Sequence, residues 1–116
     1  MGARTRCLGV DDHPVVRQGL SLLFNGHSDV ELVGTVKTGE EALEAIEKLQ
    51  PQVVVMDVRL PGIDGTEACR RILRARPGVR VVLVSTYERA DLPGVDGCGA
   101  ARFVRKQDFD VPALLD

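Results

Sequence analysis

The sequence is short of several things, and each shortage narrows the reading. It has no internal repeat, no low-complexity tract and no apolar run approaching a bilayer-spanning length, which excludes solenoid, fibrous and membrane-spanning classes. It has little net charge: 15 basic against 17 acidic residues leave −2 at neutral pH, so no global field draws the chain onto nucleic acid or an anionic membrane. Its cysteines are Cys7, Cys69 and Cys98, an odd number at wide spacing with no histidine-rich partner segment. That argues against a disulfide framework and a zinc site, and it fits a reducing cytoplasm. The apolar stretch after Arg4 and Arg6 is broken by Asp11-Asp12, too early for a signal peptide. Aromatic residues are confined to Phe24, Tyr87, Phe103 and Phe109, and lysines to Lys37, Lys48 and Lys106.

What is present is an ordinary globular composition, 44% hydrophobic and 28% charged over 116 residues. That length holds one domain, and a domain of this size buries roughly two-thirds of its unfolded surface without covalent staples. Short apolar runs alternate with amphipathic segments, the signature of a parallel sheet covered by helices on both faces. Strands are expected at Arg6 to Val10, Glu31 to Val36, Val53 to Met56, Val81 to Val84 and Ala101 to Val104. The first helix opens at Pro14 with Val15, Val16, Leu20 and Leu23 facing in and Arg17 and Gln18 out; the second buries Ala42, Leu43, Ile46 and Leu49, and the third Ala68, Cys69, Ile72 and Leu73. The fourth, Ala90 to Gly99, contains Pro93, Gly94, Gly97 and Gly99 and is expected to be short or distorted. A last helix is expected from about Asp108, running out of chain at Asp116 with Leu114 and Leu115 exposed.

In an open parallel α/β sheet the ligand site lies beyond the carboxyl ends of the strands. The residues placed there are Asp11-Asp12, Asp57, Ser85-Thr86 and Lys106. Carboxylates converging on one mouth raise one another's pKa unless a cation offsets them, and an all-oxygen set suits Mg²⁺. A lysine and a hydroxyl opposite such an ion supply the charge stabilisation that phosphoryl transfer needs. Asp57, alone at the end of the central strand, is the better nucleophile; the adjacent Asp11 and Asp12 suit a metal and its waters.

At these residues the chain resembles the receiver domain of bacterial two-component response regulators, over nearly its whole length. Val58-Arg59-Leu60-Pro61-Gly62-Ile63-Asp64-Gly65 after Asp57 is similar to that family's proline and Asp-Gly loop, and Asp11-Asp12-His13-Pro14-Val15-Val16-Arg17-Gln18-Gly19-Leu20 is similar to the NarL/FixJ branch, whose members carry a C-terminal helix-turn-helix. The resemblance implies a flavodoxin-like (CheY-like) doubly wound five-stranded parallel sheet of order 2-1-3-4-5. It implies that Asp57 accepts a phosphoryl group from a sensor histidine kinase, with Mg²⁺ held by Asp12, Asp57 and the Arg59 backbone carbonyl, and by Asp11 through water. Lys106 and Ser85 then contact the phosphoryl group, Ser85 and Phe103 act as the switch pair, and Thr86, Arg59 and Tyr87 flank the access route. Gln107 stands where many members have proline. Residues 1–116 are expected to be the receiver alone, a signalling domain rather than an enzyme, with its last helix cut short. Homodimerisation on activation and DNA binding through a C-terminal domain outside this chain follow from the same resemblance.

Each residue singly has a commonplace explanation. An aspartate after a strand is often a cap or turn former, Ser85 a cap, Lys106 a solvated lysine, and Phe103 core filler. His13 and His27 read as cap or surface residues, and Arg70, Arg71, Arg74, Arg76 and Arg80 as a solvated face. Their order at one end of the strands is what separates the group from coincidence. The alternative is a receiver-like interaction module that works without phosphorylation. A dinucleotide fold fails because Gly97-Cys98-Gly99 precedes a strand, and a Mg²⁺ phosphohydrolase lacks a second acid where Arg59 stands.

Overall fold

The computed structural model describes residues 4–115; Asp116, where the last helix was expected to continue, lies outside them. The order is β1 (Thr5–Val10), α1 (Pro14–Asn25), β2 (Val30–Val36), α2 (Gly39–Leu49), β3 (Val53–Asp57), α3 (Gly65–Ala75), β4 (Arg80–Ser85), β5 (Arg102–Arg105) and α4 (Pro112–Leu115). The strands pair in parallel in the order β2-β1-β3-β4-β5, as expected. All five residues of β3 are buried, which is why its apolar run shows no alternation: both faces of the central strand are covered. One core, centred on Leu8, Ile46, Val54, Met56, Ile72 and Leu83, packs under α2 and α3. The other, with Leu20, Phe24, Val55, Val82, Val104 and Leu114, packs under α1 and α4. No described helix is long and apolar enough to cross a membrane.

Local chemistry fixes the helix starts. Thr38 caps α2 by accepting from the Glu41 N–H at 3.0 Å, while the Glu41 carboxylate accepts from the Lys37 N–H at 2.8 Å. Thr38→Ala should lower stability by about 1 kcal/mol, read as a shifted denaturant midpoint at unchanged slope. Asp64 caps α3 in the same way, accepting from the Glu67 N–H at 2.9 Å.

Four sequence expectations are corrected. Val15 faces solvent, 78% exposed, and Arg17 folds back instead to donate to the Asp11 carbonyl at 2.8 Å; Phe24 takes the inward place. Between β4 and β5 there is no α-helix but a single 3₁₀ turn, Arg89–Asp91. Gly94, Gly97 and Gly99 all adopt positive φ, the left-handed region that interrupts a helix, while Leu92, Val95 and Cys98 still reach the core and pin the segment down. The last helix does not start near Asp108. Lys106–Asp108 is a 3₁₀ turn, and α4 begins at Pro112, a residue that disfavours helical backbone before it and suits a first turn. Leu114 is therefore fully buried, its carbonyl accepting from Arg80 Nε at 2.9 Å, and only Leu115 is exposed.

Candidate functional site

The carboxyl ends of β1, β3 and β4 and the turn after β5 meet around an open basin of about 550 Å³. Asp12, His13, Asp57, Arg59, Ser85, Thr86, Tyr87 and Lys106 line it. The parallel register brings them together: Val10 lies beside Met56, Asp57 beside Val84, and Ser85 beside Arg105, so the residues that leave each strand do so at one level.

Lys106 is the hub. Its Nζ donates to Asp57 Oδ2 at 3.1 Å and lies 2.9 Å from Asp11 Oδ2. Asp57 Oδ1 accepts from the Arg59 N–H at 3.1 Å. Asp11 Oδ1 accepts from the His13 N–H at 2.9 Å and from its ring Nδ1–H at 2.7 Å. Asp11 Oδ2 is buried, and its one near partner is the Lys106 ammonium, which is shared with Asp57.

Two carboxylates share one ammonium, and their titrations differ accordingly. Burial lifts Asp57 above the ordinary carboxylate value, against the pull of the Arg59 N–H and Lys106. Burial acts the same way on Asp11, but the His13 N–H, Lys106 and the His13 ring together outweigh it and hold that carboxyl below the usual range. Lys106 is disfavoured by its own burial but held protonated, above its usual value, by both carboxylates. The His13 ring is raised by its bond to Asp11.

Asp11, Asp12, His13 and Asp57 each offer a ligand atom, all within 4.8 Å of one another. The carboxylate oxygens are hard donors, and Asp11 and Asp57 share a single ammonium, leaving negative charge that a divalent cation offsets; the set fits Mg²⁺. Ser85 is buried across the basin, with its Oγ accepting from the Tyr87 N–H at 3.1 Å. Thr86 is exposed at the rim. Arg59 stacks its guanidinium over the Tyr87 ring, 4.6 Å from the centroid, so the loops after β3 and β4 are tied over one side of the basin.

Phe103 does not line this basin. It is half-buried beside Leu83, packed against the core under α3 and bordering a separate hollow with Arg89 and Asp108. Arg70 and Arg71 of α3 pair with Glu67, and Arg76 just beyond the helix pairs with Glu47, which fits a solvated face. His13 was read as a cap or surface residue, yet its ring is bonded to the acidic pair. The spacing held the clue: in Asp-X-His, an aspartate bonds the backbone two residues on and brings that residue's side chain against itself.

Residues 7–115 match the model of the response regulator receiver domain. The response regulator GacA of Pseudomonas viridiflava is 40% identical over 102 residues, 87% of this chain and 48% of that protein. The transcriptional regulatory protein DegU of Brevibacillus brevis is 31% identical over 92% of this chain and 45% of its own length. The chain thus spans about half the length of these relatives. Among solved structures, the signal receiver domain of the response regulator NarL from Mycobacterium tuberculosis superimposes with TM-score 0.89 at 32% identity, covering 99% of this chain and 96% of that one.

Proposed function

The chain belongs to the response regulator receiver domain family, in its NarL/FixJ branch, and from that membership we propose that Asp57 accepts a phosphoryl group from the phosphohistidine of a sensor histidine kinase. The observation that carries this reading is the Lys106 ammonium held between Asp57 and Asp11 at the mouth of the sheet. Asp57 Oδ1 and Oδ2 are each held by one donor, which orients the carboxylate toward the basin. Its raised pKa reflects a carboxylate that water solvates poorly, a ground state that transfer of a phosphoryl group relieves.

In the transfer, a carboxylate oxygen of Asp57 forms the new P–O bond as the P–N bond of the donor breaks, and the departing imidazole nitrogen keeps the electron pair. Lys106 and the Ser85 hydroxyl take up charge on the phosphoryl oxygens. Asp12, Asp57 and the Arg59 backbone carbonyl would hold Mg²⁺, with Asp11 acting through water. When bound, the ion neutralises charge on the carboxylates and the phosphoryl oxygens. Arg59, Tyr87 and Thr86 bound the route by which water reaches the acyl phosphate. The domain is then a substrate that promotes its own phosphotransfer, without turnover on outside phosphoesters.

Ser85 moving onto the phosphoryl group and Phe103 turning inward form the switch, and the change is passed to a homodimer and to a DNA-binding domain attached beyond this chain. Moving the population from about 1:99 to 99:1 takes about 5.5 kcal/mol of preference for the active state. The test is incubation with Mg²⁺ and acetyl phosphate, followed by intact-mass and peptide mapping. One added phosphoryl group on the Asp57 peptide is expected, and none in Asp57→Asn. No gain in the wild type, or an equal gain in Asp57→Asn, overturns the reading in favour of a phosphorylation-independent interaction module.

A further inference from the structure

The two oxygens of Asp11 stand in different surroundings, and one residue causes the difference. Oδ1 is saturated by two donors from His13, the backbone N–H at 2.9 Å and the ring Nδ1 at 2.7 Å. Because an ionised carboxylate only accepts, the proton of that second bond sits on Nδ1. Oδ2 faces the other way, buried, and pairs with the Lys106 ammonium at 2.9 Å. The carboxylate torsion of an aspartate is soft and nearly two-fold, so nothing intrinsic to Asp11 chooses which oxygen faces the basin. The backbone N–H fixes one contact, and the imidazole makes the bond bidentate on the donor side.

His13 is itself firmly placed. It is the N-cap residue of α1, with extended backbone (φ −91°, ψ 117°), and its carbonyl accepts from Val16 and Arg17. It makes no side-chain capping bond, so its ring is free for Asp11. Arg17, one turn on, clamps the Asp11 carbonyl at 2.8 Å. The start of α1 thus holds Asp11 by its carbonyl and by Oδ1, leaves Oδ2 to Lys106, and sets the same imidazole 3.3 Å from Asp12 Oδ1.

We propose that His13 is a positioning residue for the divalent-cation site, acting through the acidic pair: its ring Nδ1, 2.7 Å from Asp11 Oδ1 and 3.3 Å from Asp12 Oδ1, holds the two adjacent carboxylates together at the edge of the basin. The inference rests on the reading of Asp11, Asp12 and Asp57 as that site. Partners of this kind, one bond removed from a metal, change affinity by roughly 10–100-fold when deleted.

The test is calorimetric titration of Mg²⁺ into the unphosphorylated chain, for wild type, His13→Ala and His13→Asn. Asparagine places an amide N–H near the position of the imidazole Nδ1–H but offers no imidazole to a metal. Expected are Mg²⁺ binding by the wild type, binding weakened by about 10–100-fold in His13→Ala, and recovery of most of that loss in His13→Asn. All three should still melt cooperatively, with His13→Ala lowered by no more than the loss of one hydrogen bond to Asp11 and His13→Asn close to wild type. Equal affinity in His13→Ala and wild type overturns the positioning role while leaving the cation site standing. Equal weakening in the alanine and asparagine variants overturns it in favour of direct imidazole ligation. No Mg²⁺ binding by the wild type overturns the reading of the site, and the inference falls with it.

Discussion

Replacing Lys106 by methionine is expected to destabilise the fold by about 2–4 kcal/mol in Mg²⁺-free buffer and to slow phosphoryl uptake by roughly 10²–10³-fold. Methionine keeps most of the side chain's apolar stem and removes its charge. What remains is Asp11 and Asp57, both nearly inaccessible, facing one another without the ammonium that separates them. Removing one partner of a buried ionic group costs more than the pair contributed, because the survivors stay buried and unpaired. The figure sits below the largest measured penalties because the Lys106 side chain is 21% exposed and water partly screens the charges.

Two measurements separate this cause from loss of packing. Adding Asp57→Asn to Lys106→Met removes one of the two like charges and should recover much of the lost stability. Acid should do the same. Asp57 has a folded pKa raised above its unfolded value, so its ionisation works against the fold over the interval from the ordinary carboxylate value up to the raised one, and above it. As pH falls through that interval Asp57 takes a proton and the penalty shrinks. Guanidinium unfolding at a series of pH values should therefore show the deficit of Lys106→Met largest at neutrality. A deficit independent of both pH and Asp57→Asn would mean that the methylene stem, not the charge, matters.

Gly65→Ala is the second large effect, with an expected cost of about 3 kcal/mol, the upper end for overpacking. A Cβ at Gly65 would lie 2.3 Å from the Asp57 carbonyl oxygen and 2.8 Å from Val58 Cα. Both are backbone atoms, one of them belonging to the proposed phosphoacceptor, so no rotamer change makes room. The Gly65 N–H also donates to the Val58 carbonyl at 2.7 Å, closing the loop from 58 to 65 onto the end of β3. Relief of the clash has to move either the start of α3 or Asp57 itself. Phosphoryl uptake should fall in step with stability, whereas Gly78→Ala, where a Cβ meets nothing within 4 Å, should stay within about 0.5 kcal/mol of wild type.

The strands and the site were legible for one reason. A parallel strand buried on both faces is an apolar run that stops abruptly at a polar residue, and those stops, Asp11, Asp57 and Ser85, are the positions proposed to function. At β5, an edge strand in which Val104 alone is buried, the mark before Lys106 is weaker. The ring of His13 was legible only in the Asp-X-His spacing, because a local bond between neighbours leaves no periodicity. The clash awaiting any side chain at Gly65 is likewise invisible, since it depends on how α3 docks against the end of β3. The late start of α4 was legible in principle. Pro112 stands inside the segment expected to be helical, and it restricts the residue before it to extended backbone.

The sheet ends at β5, a strand of four residues with Arg102 and Arg105 at its two limits. An edge so short, and bracketed by charge, is a poor template for addition of a sixth strand from a neighbouring chain. Growth of a ribbon from this margin is therefore disfavoured, and the longer edge strand β2 is the one left to template it.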